Sequence, residues 1–320
     1  MSNYGFRDRL SAAFPSQVII DVTEVCNLAC VHCPHPTFKK SEHYSARYLE
    51  EALVRKAIDE IREHSGGHTQ YVRFTSEGEP LIHPGAYDMI QYAVDRSGCF
   101  VTLTTNGTIM NEKRIKRLLD SGLHMVDVSI DAFYDDTYAK IRVNGYLPTT
   151  RNNVLKLIDM AYGTRTRVVV SYVRQEAQRP DEAAAFEAYW RGMGVHEVVM
   201  RNLHSAAGAV VPVANIMRAG QARSTRTPCV YPWERIVLNP RGYLAFCPAD
   251  WTHGSTVIDY RTATIRETWQ SQFYVKLREA HLSSNYSCHK FCGQCPDWAV
   301  TRWPGEGRAY ADLVAEMKGH

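Results

Sequence analysis

Between Val18 and Arg201 the chain alternates short apolar, β-branched runs with stretches of helical periodicity, and this alternation restricts the fold more than any other feature. Strands are expected at 18–22, 71–75, 100–105, 125–130, 167–173 and 197–201, and helices at 48–62, 87–96, 112–121, 152–162 and 181–192. The strand runs are nearly continuously apolar, which reads as strands covered on both faces, and strands joined by helical crossovers run parallel. The expectation is an α/β fold. Six βα units over residues 1–205 make a partial (β/α)6 barrel with functional groups at the C-terminal ends of its strands.

The pattern changes after Leu203. Residues 206–228 are rich in Ala, Arg, Gly and Ser and read as a linker. A small second domain is placed at 229–320. In it 236–238 and 243–246 form a hairpin about Asn239-Pro240-Arg241-Gly242, 265–282 has helical spacing, 288–295 is a loop and 310–317 a final short helix. A chain of 320 residues with 45% hydrophobic content is long enough for both units. A net charge of +3 is too mild to argue for nucleic acid as a partner. The first 17 residues hold no apolar stretch of signal-peptide length, and no run reaches the roughly 18 apolar residues of a membrane span. A cytoplasmic protein with no membrane partner is expected.

Nine cysteines without a secretory signal argue against a disulfide framework. They are also clustered, as metal ligands are. Cys26, Cys30 and Cys33 have the spacing C-x3-C-x2-C directly after the first strand. Three thiolates on one short loop suit three irons of a [4Fe–4S] cubane and leave the fourth iron open. A zinc site completed by His32 or His35 is the competing reading. Cys99 stands apart and reads as a buried small hydrophobe.

This spacing resembles the signature of the radical S-adenosylmethionine (SAM) superfamily, and further segments agree with it. Gly78-Glu79-Pro80 after strand two resembles the family element that receives the SAM amino group, although Glu77 stands where a second glycine is common. Thr105, Asn106 and Gly107 follow strand three, Ser129 and Asp131 end strand four, Arg142 resembles an arginine that contacts the SAM carboxylate, and Asn202 follows strand six toward the adenosine. The resemblance makes Gly78, Glu79, Thr105, Asn106, Ser129, Asp131, Arg142 and Asn202 the SAM-binding set, with His32 a candidate ring against adenine. The region from Cys229 onward resembles the twitch form of the SPASM domain. There Cys229, Cys247, Cys292 and Cys295 would hold a second, fully ligated [4Fe–4S] cluster, and a four-cysteine zinc ribbon is the alternative. Cys288 is left over as an alternative ligand, a hydrogen-atom donor or an inert thiol.

The resemblance implies two [4Fe–4S] clusters, SAM and a flavodoxin- or ferredoxin-type reductant, with a 5′-deoxyadenosyl radical taking hydrogen from a substrate carbon. Carboxylates Glu77, Asp131, Glu234, Asp250 and Asp297 with the rings of Tyr172, Trp233, Trp251 and Trp298 suggest a polar, amino-sugar or aminocyclitol substrate at the barrel mouth. The expected outcome is epimerisation with Cys288 returning hydrogen, as in aminoglycoside epimerases of the family. Dehydrogenation of a secondary alcohol through the auxiliary cluster, and modification of a peptide, are the alternatives.

Overall fold

The computed structural model describes residues 13–75, 77–221 and 226–300. Nine strands form one sheet in the order β6-β5-β4-β3-β2-β1-β7-β8-β9. Strands β1 (Gln17–Ile20), β2 (Tyr71–Phe74), β3 (Phe100–Thr105), β4 (Met125–Ser129), β5 (Arg167–Arg174) and β6 (Glu197–Asn202) run parallel to their neighbours. Strand β7 (Arg235–Leu238) adds in parallel on the free side of β1, and β8 (Tyr243–Ala245) and β9 (Thr256–Asp259) follow antiparallel. Six parallel strands with intervening helices are the expected partial barrel. The hairpin at 235–245 is not a separate sheet but extends the barrel's own.

Side chains alternate along each parallel strand. Val18, Ile20, Val72, Phe74, Val101, Leu103, Val126, Val128, Val168 and Val170 pack outward against helix residues such as Ile58, Ile90, Leu118, Leu157 and Trp190. Each such aliphatic side chain contributes about 1.5–3 kcal/mol by leaving water. The inner face does not match the expectation of strands apolar on both sides. Arg73 donates to Thr104 Oγ1 at 3.1 Å and Arg201 to Asp127 Oδ2 at 2.5 Å across it, while Ile19, Val237 and Ala245, and Met125 with Val169, form small apolar clusters on the same face, so the lumen is mixed.

Several elements differ from the sequence expectation. The stretch read as a linker contains an eleven-residue helix, Val211–Gln221, and the helix expected from 152 starts at Leu147. Both carry proline in the first turn (Pro212 and Pro148), where a missing N–H costs nothing and the fixed φ favours helix. The helical stretch 265–282 breaks into Ile265–Trp269 and Gln272–Ser283, because Thr264 and then Ser271 each cap a new start. A short helix, Lys290–Gln294, lies within the expected loop at 288–295, and Asp135–Ile141 is helical where no element was expected. The helix expected at 310–317 lies outside the described residues. The C-terminal segment docks on helix Glu51–His64. Lys56 Nζ donates to the carbonyls of Tyr260 and Ala263 at 2.6 and 2.7 Å, and Glu60 accepts from Ile265 N at 2.6 Å. Among the described residues no helix is long and apolar enough to cross a membrane.

Candidate active site

The C-terminal ends of the parallel strands face one another around the loop that follows β1. Cys26, Cys30 and Cys33 lie on this loop, Cys30 buried and the other two half-buried. Burial pushes their thiols up, Cys26 to about 11 and Cys33 to about 12; neighbouring thiols push Cys26 and Cys33 the same way, while Arg142 opposes the rise at Cys30. A crowded set of desolvated thiols ionises only when a cation arrives, and an iron–sulfur cluster supplies one. Backbone N–H groups already aim at the sulfurs: Leu28 N at Cys26, and His35 N at Cys33 Sγ at 3.5 Å. Such donors favour the thiolate and tune a cluster.

Arg142 closes the loop from below. Its Nη1 lies 3.6 Å from Cys30 Sγ and its Nη2 pairs with Asp131 Oδ2. Asp131 is fully buried with φ +65°, and it is held by Val173 N on Oδ1 at 2.8 Å and by Gln178 Nε2 on its carbonyl at 2.7 Å. His32 Nε2 stands 3.4 Å from Asp131 Oδ2, and burial lowers this imidazole to about 4, so it is neutral. Arg142 and Asp131, expected as direct SAM contacts, are thus committed first to each other and to Cys30.

Glu79 sits behind the same loop. Its carboxylate accepts from Thr105 Oγ1 at 2.6 Å, Asn106 N at 2.7 Å and Leu81 N at 3.2 Å. Three of a carboxylate's roughly four acceptor sites are used, which leaves one for an ammonium. Asn106 Nδ2 donates to Asn27 Oδ1 at 2.9 Å and Asn27 Nδ2 to Thr108 Oγ1 at 2.8 Å, tying the cysteine loop to the end of β3. Gly78 meets the chain itself: a Cβ there would stand 2.4 Å from the Thr23 carbonyl oxygen and 2.5 Å from that of Val25. Ser129 Oγ faces Ser171 Oγ at 3.4 Å, and Asn202 is exposed at the end of β6.

Cys229, Cys247, Cys292 and Cys295 form the second set. Burial raises the thiols of Cys247, Cys292 and Cys295, the last to about 12, and the other cysteines of the set raise them further. Backbone N–H groups of Ala249 and Asp297 donate to Cys247 and Cys295. Among the described residues no three Cys, His, Asp or Glu side chains are arranged to hold a single metal ion. A cubane differs in that each thiolate takes its own iron. His281 Nδ1 accepts from Cys229 N at 3.2 Å, and Arg226 donates to the carbonyls of Cys292 and Gly293 at 2.5 and 3.0 Å. These supports were missed in the sequence. One signal was available: Cys33, Cys247 and Cys295 are each followed by proline, and the residue after that proline donates its N–H to the sulfur. The fixed φ of proline turns the chain back for that contact.

Beside Cys247 lies a narrow crevice of about 10 Å³ whose walls include Asp21, Glu77, Asn239, Asp250 and His253. Glu77 is 7% exposed, and its Oε2 has no hydrogen-bond partner among the described residues. Burial first, then the carboxylates of Asp21, Glu24 and Asp250, hold its carboxyl well above the usual range. Asp250 is a turn builder that accepts from the backbones of Thr252, Gly254 and Ser255 at 3.0, 3.0 and 2.6 Å.

Other expected mouth residues lie elsewhere. Asp297 accepts from Ser205 and Ala207 and anchors the auxiliary loop to the segment after β6. Glu234 pairs with Arg235 at the N-terminal ends of the strands. Tyr172 packs outward on Phe186, with ring centroids 4.9 Å apart, and Trp233 on His281 at 5.9 Å. Trp251 stacks edge-on against Phe38 at 5.3 Å and covers the Cys33 end of the first loop. Trp298 lies beside Cys295. Cys288 is exposed, with Ser287 Oγ 3.9 Å away, and is not among the residues lining the crevice.

Comparison with known proteins defines the class. The profile of the radical SAM superfamily matches residues 20–173, and that of the SPASM iron–sulfur cluster-binding domain matches 229–296. The chain belongs to the radical SAM superfamily and carries a SPASM-type domain, which implies SAM and iron–sulfur clusters in both parts. Among curated relatives, a GTP 3′,8-cyclase of Pelotomaculum thermopropionicum is 28% identical over 64% of this chain and 62% of its own length. An AdoMet-dependent heme synthase of Methanosarcina barkeri is 29% identical over 40% of this chain and 34% of its own. The chain covers less than two thirds of either relative. Similar solved structures include BtrN in complex with AdoMet and 2-DOIA (TM-score 0.59, 16% identity, 88% of this chain and 92% of that one). Streptococcus suis SuiB bound to precursor peptide SuiA is also similar (TM-score 0.66, 13% identity, 95% and 73%). At these identities the likeness is one of fold.

Proposed function

We propose that this radical SAM enzyme oxidises a secondary alcohol carbon of a small polar substrate of the sugar or aminocyclitol class to a ketone. The observation that carries the reading is that Cys247, of the auxiliary set, shares a crevice with Glu77 and Asp21 at the ends of β2 and β1. Cys26, Cys30 and Cys33 would hold a [4Fe–4S] cluster with one iron open to SAM, and Cys229, Cys247, Cys292 and Cys295 a second, fully ligated one. When bound, these groups supply a 5′-deoxyadenosyl radical and an electron acceptor, respectively.

The chain's own residues do the rest. Glu79 keeps one acceptor site for the SAM amino group, while Arg142 and Asp131 fix the loop that presents the thiols. Trp251, Phe38 and Tyr44 cover that loop and exclude water from its Cys33 end. A thiol donor is the mark of the epimerase alternative, and the exposed Cys288 is not among the residues lining the crevice. GTP is disfavoured on charge. The crevice is acidic, and Arg218 and Arg226, near Cys295, donate to main-chain oxygens of Gln294, Gly293 and Cys292.

The test is anaerobic reconstitution, reduction with dithionite and incubation with SAM and aminocyclitols in D2O. The expected products are 5′-deoxyadenosine and a cyclitol lighter by two hydrogens, with no deuterium at the attacked carbon. A product of unchanged formula carrying one solvent deuterium would establish epimerisation instead.

A further inference from the structure

We propose that the crevice beside Cys247 is the subsite for a primary ammonium group of the substrate, with the Glu77 carboxylate as its principal acceptor. This rests on the reading of the site given above and narrows its substrate to amines. The first observation is the orphaned acceptor. Glu77 is more than nine-tenths buried, lines the crevice and has an Oε2 without a partner among the described residues. Leaving such an oxygen unpaired out of water is costly, and a donor that enters the crevice completes it.

The second observation is the sign of the surroundings. Asp21, Glu24 and Asp250 act on Glu77 from the loop after β1 and the turn after β8, and Arg241 opposes them less strongly. Arg241 Nη2 donates to Thr256 Oγ1 at 3.1 Å, and its buried Nε has no partner among the described residues. Asp21 Oδ2 accepts from Glu77 N at 3.2 Å, and Glu24 Oε2 from Ser45 N and Arg47 N at 2.8 and 3.1 Å. These contacts fix the positions of the two carboxylates. A donor-only cation meets both the charge and the hydrogen bond such a site offers, a neutral hydroxyl meets only the hydrogen bond, and an anion meets neither.

The third observation is size. About 10 Å³ admits one group the size of a water molecule or an –NH3+. A sugar ring stays outside, and only its amine head enters. The ammonium therefore sits against the Cys247 wall, and the ring projects away from it.

The experiment uses the anaerobically reconstituted holoenzyme and methylammonium chloride as probe, with sodium, potassium and tetramethylammonium chlorides as controls. At about ten times its dissociation constant, methylammonium is expected to raise the unfolding midpoint of the wild type by about 2 °C over the controls. Glu77→Gln, and separately Glu77→Met in case the amide finds a new partner, should lose that shift. The proposal is overturned by a wild type indifferent to methylammonium, by an equal response to sodium or potassium, or by an undiminished response in both variants. The two readings fail separately. A wild type that cleaves SAM but ignores methylammonium removes the ammonium subsite alone, and one that responds to methylammonium but makes no ketone removes the oxidation reading alone.

Discussion

Arg142 bridges Asp131, at the end of β4, to the sulfur of Cys30, in the loop after β1. Both partners of this ion pair are buried, so removing either one strands a charge out of water. Asp131→Asn is expected to destabilise by about 3–5 kcal/mol, and Arg142→Met comparably. The double variant should cost less than the sum of the two, because no charge is left alone. Urea unfolding of the four proteins checks this, and strict additivity would show that the pair does not act as a unit. Arg142→Met should also hold less iron in the first set, since Cys30 loses its cationic neighbour, and Asp131→Asn should lose less, since Arg142 remains and loses only the carboxylate that positions it.

Gly78 fixes the distance between the β2 loop and the cysteine loop. An alanine there drives its methyl into the carbonyl oxygens of Thr23 and Val25 at 2.4 and 2.5 Å, and backbone on both sides must move. Gly78→Ala should cost about 1–3 kcal/mol and lower the iron content of the first set. Gly192→Ala, at a helix end with nothing within 4 Å of the added atom, is the matched control and should be neutral or mildly stabilising. Equal behaviour of the two would show that the close approach at Gly78 carries no constraint.

The strands were legible because each is a short β-branched run bounded by turn residues, and the first cysteine set because its spacing lies on a single loop. Distances in space were not legible. Glu234 and Asp297 read as mouth carboxylates by type, yet the register of β7 on β1 puts one at the wrong end of the sheet, and Ser205 and Ala207 occupy the other. Tyr172 fails for a simpler reason. Its neighbours in β5 alternate faces, and position 172 shares the outward face with Val168 and Val170. The crevice joins β1, β2, β7 and β8, and no local pattern announces that β7 pairs with β1 across more than two hundred residues.

His124 gives the fold a defined acid limit. It precedes β4, and its Nδ1 accepts from Val101 N of β3 at 3.1 Å, a contact only the neutral ring makes. His196 repeats the device before β6, accepting from Val168 N at 3.0 Å. Burial, with Arg165 nearby, lowers His124 from 6.5 to about 4. The unfolded chain therefore binds a proton below pH 6.5 that the folded chain refuses until about 4. The stability from this group is complete above 6.5, is lost as the pH falls, and the loss levels off below about 4. Unfolding midpoints of the wild type and His124→Gln, compared from pH 7.5 down to the low end of this range, should converge on acidification. A constant difference across that interval would remove the imidazole from the account.

Iron counting separates the roles of the nine cysteines. If the first loop holds one cubane and the C-terminal four hold another, reconstituted wild type carries about eight irons per chain. Alanine at Cys26, Cys30 or Cys33 should remove about four of them together with SAM cleavage, because an open-iron cluster needs all three thiolates. Alanine at Cys247 or Cys292 should remove the other four and leave 5′-deoxyadenosine formation measurable, since that cleavage belongs to the first set. Cys288→Ala discriminates most sharply. The exposed thiol lies outside the crevice, so the variant should keep about eight irons and full product formation. Loss of about four irons in this variant would place Cys288 in the auxiliary cage, where it would have to displace one of Cys229, Cys247, Cys292 and Cys295. Retention of all the iron with product formation stalled after SAM cleavage would restore it as a hydrogen donor, and with it the epimerase reading.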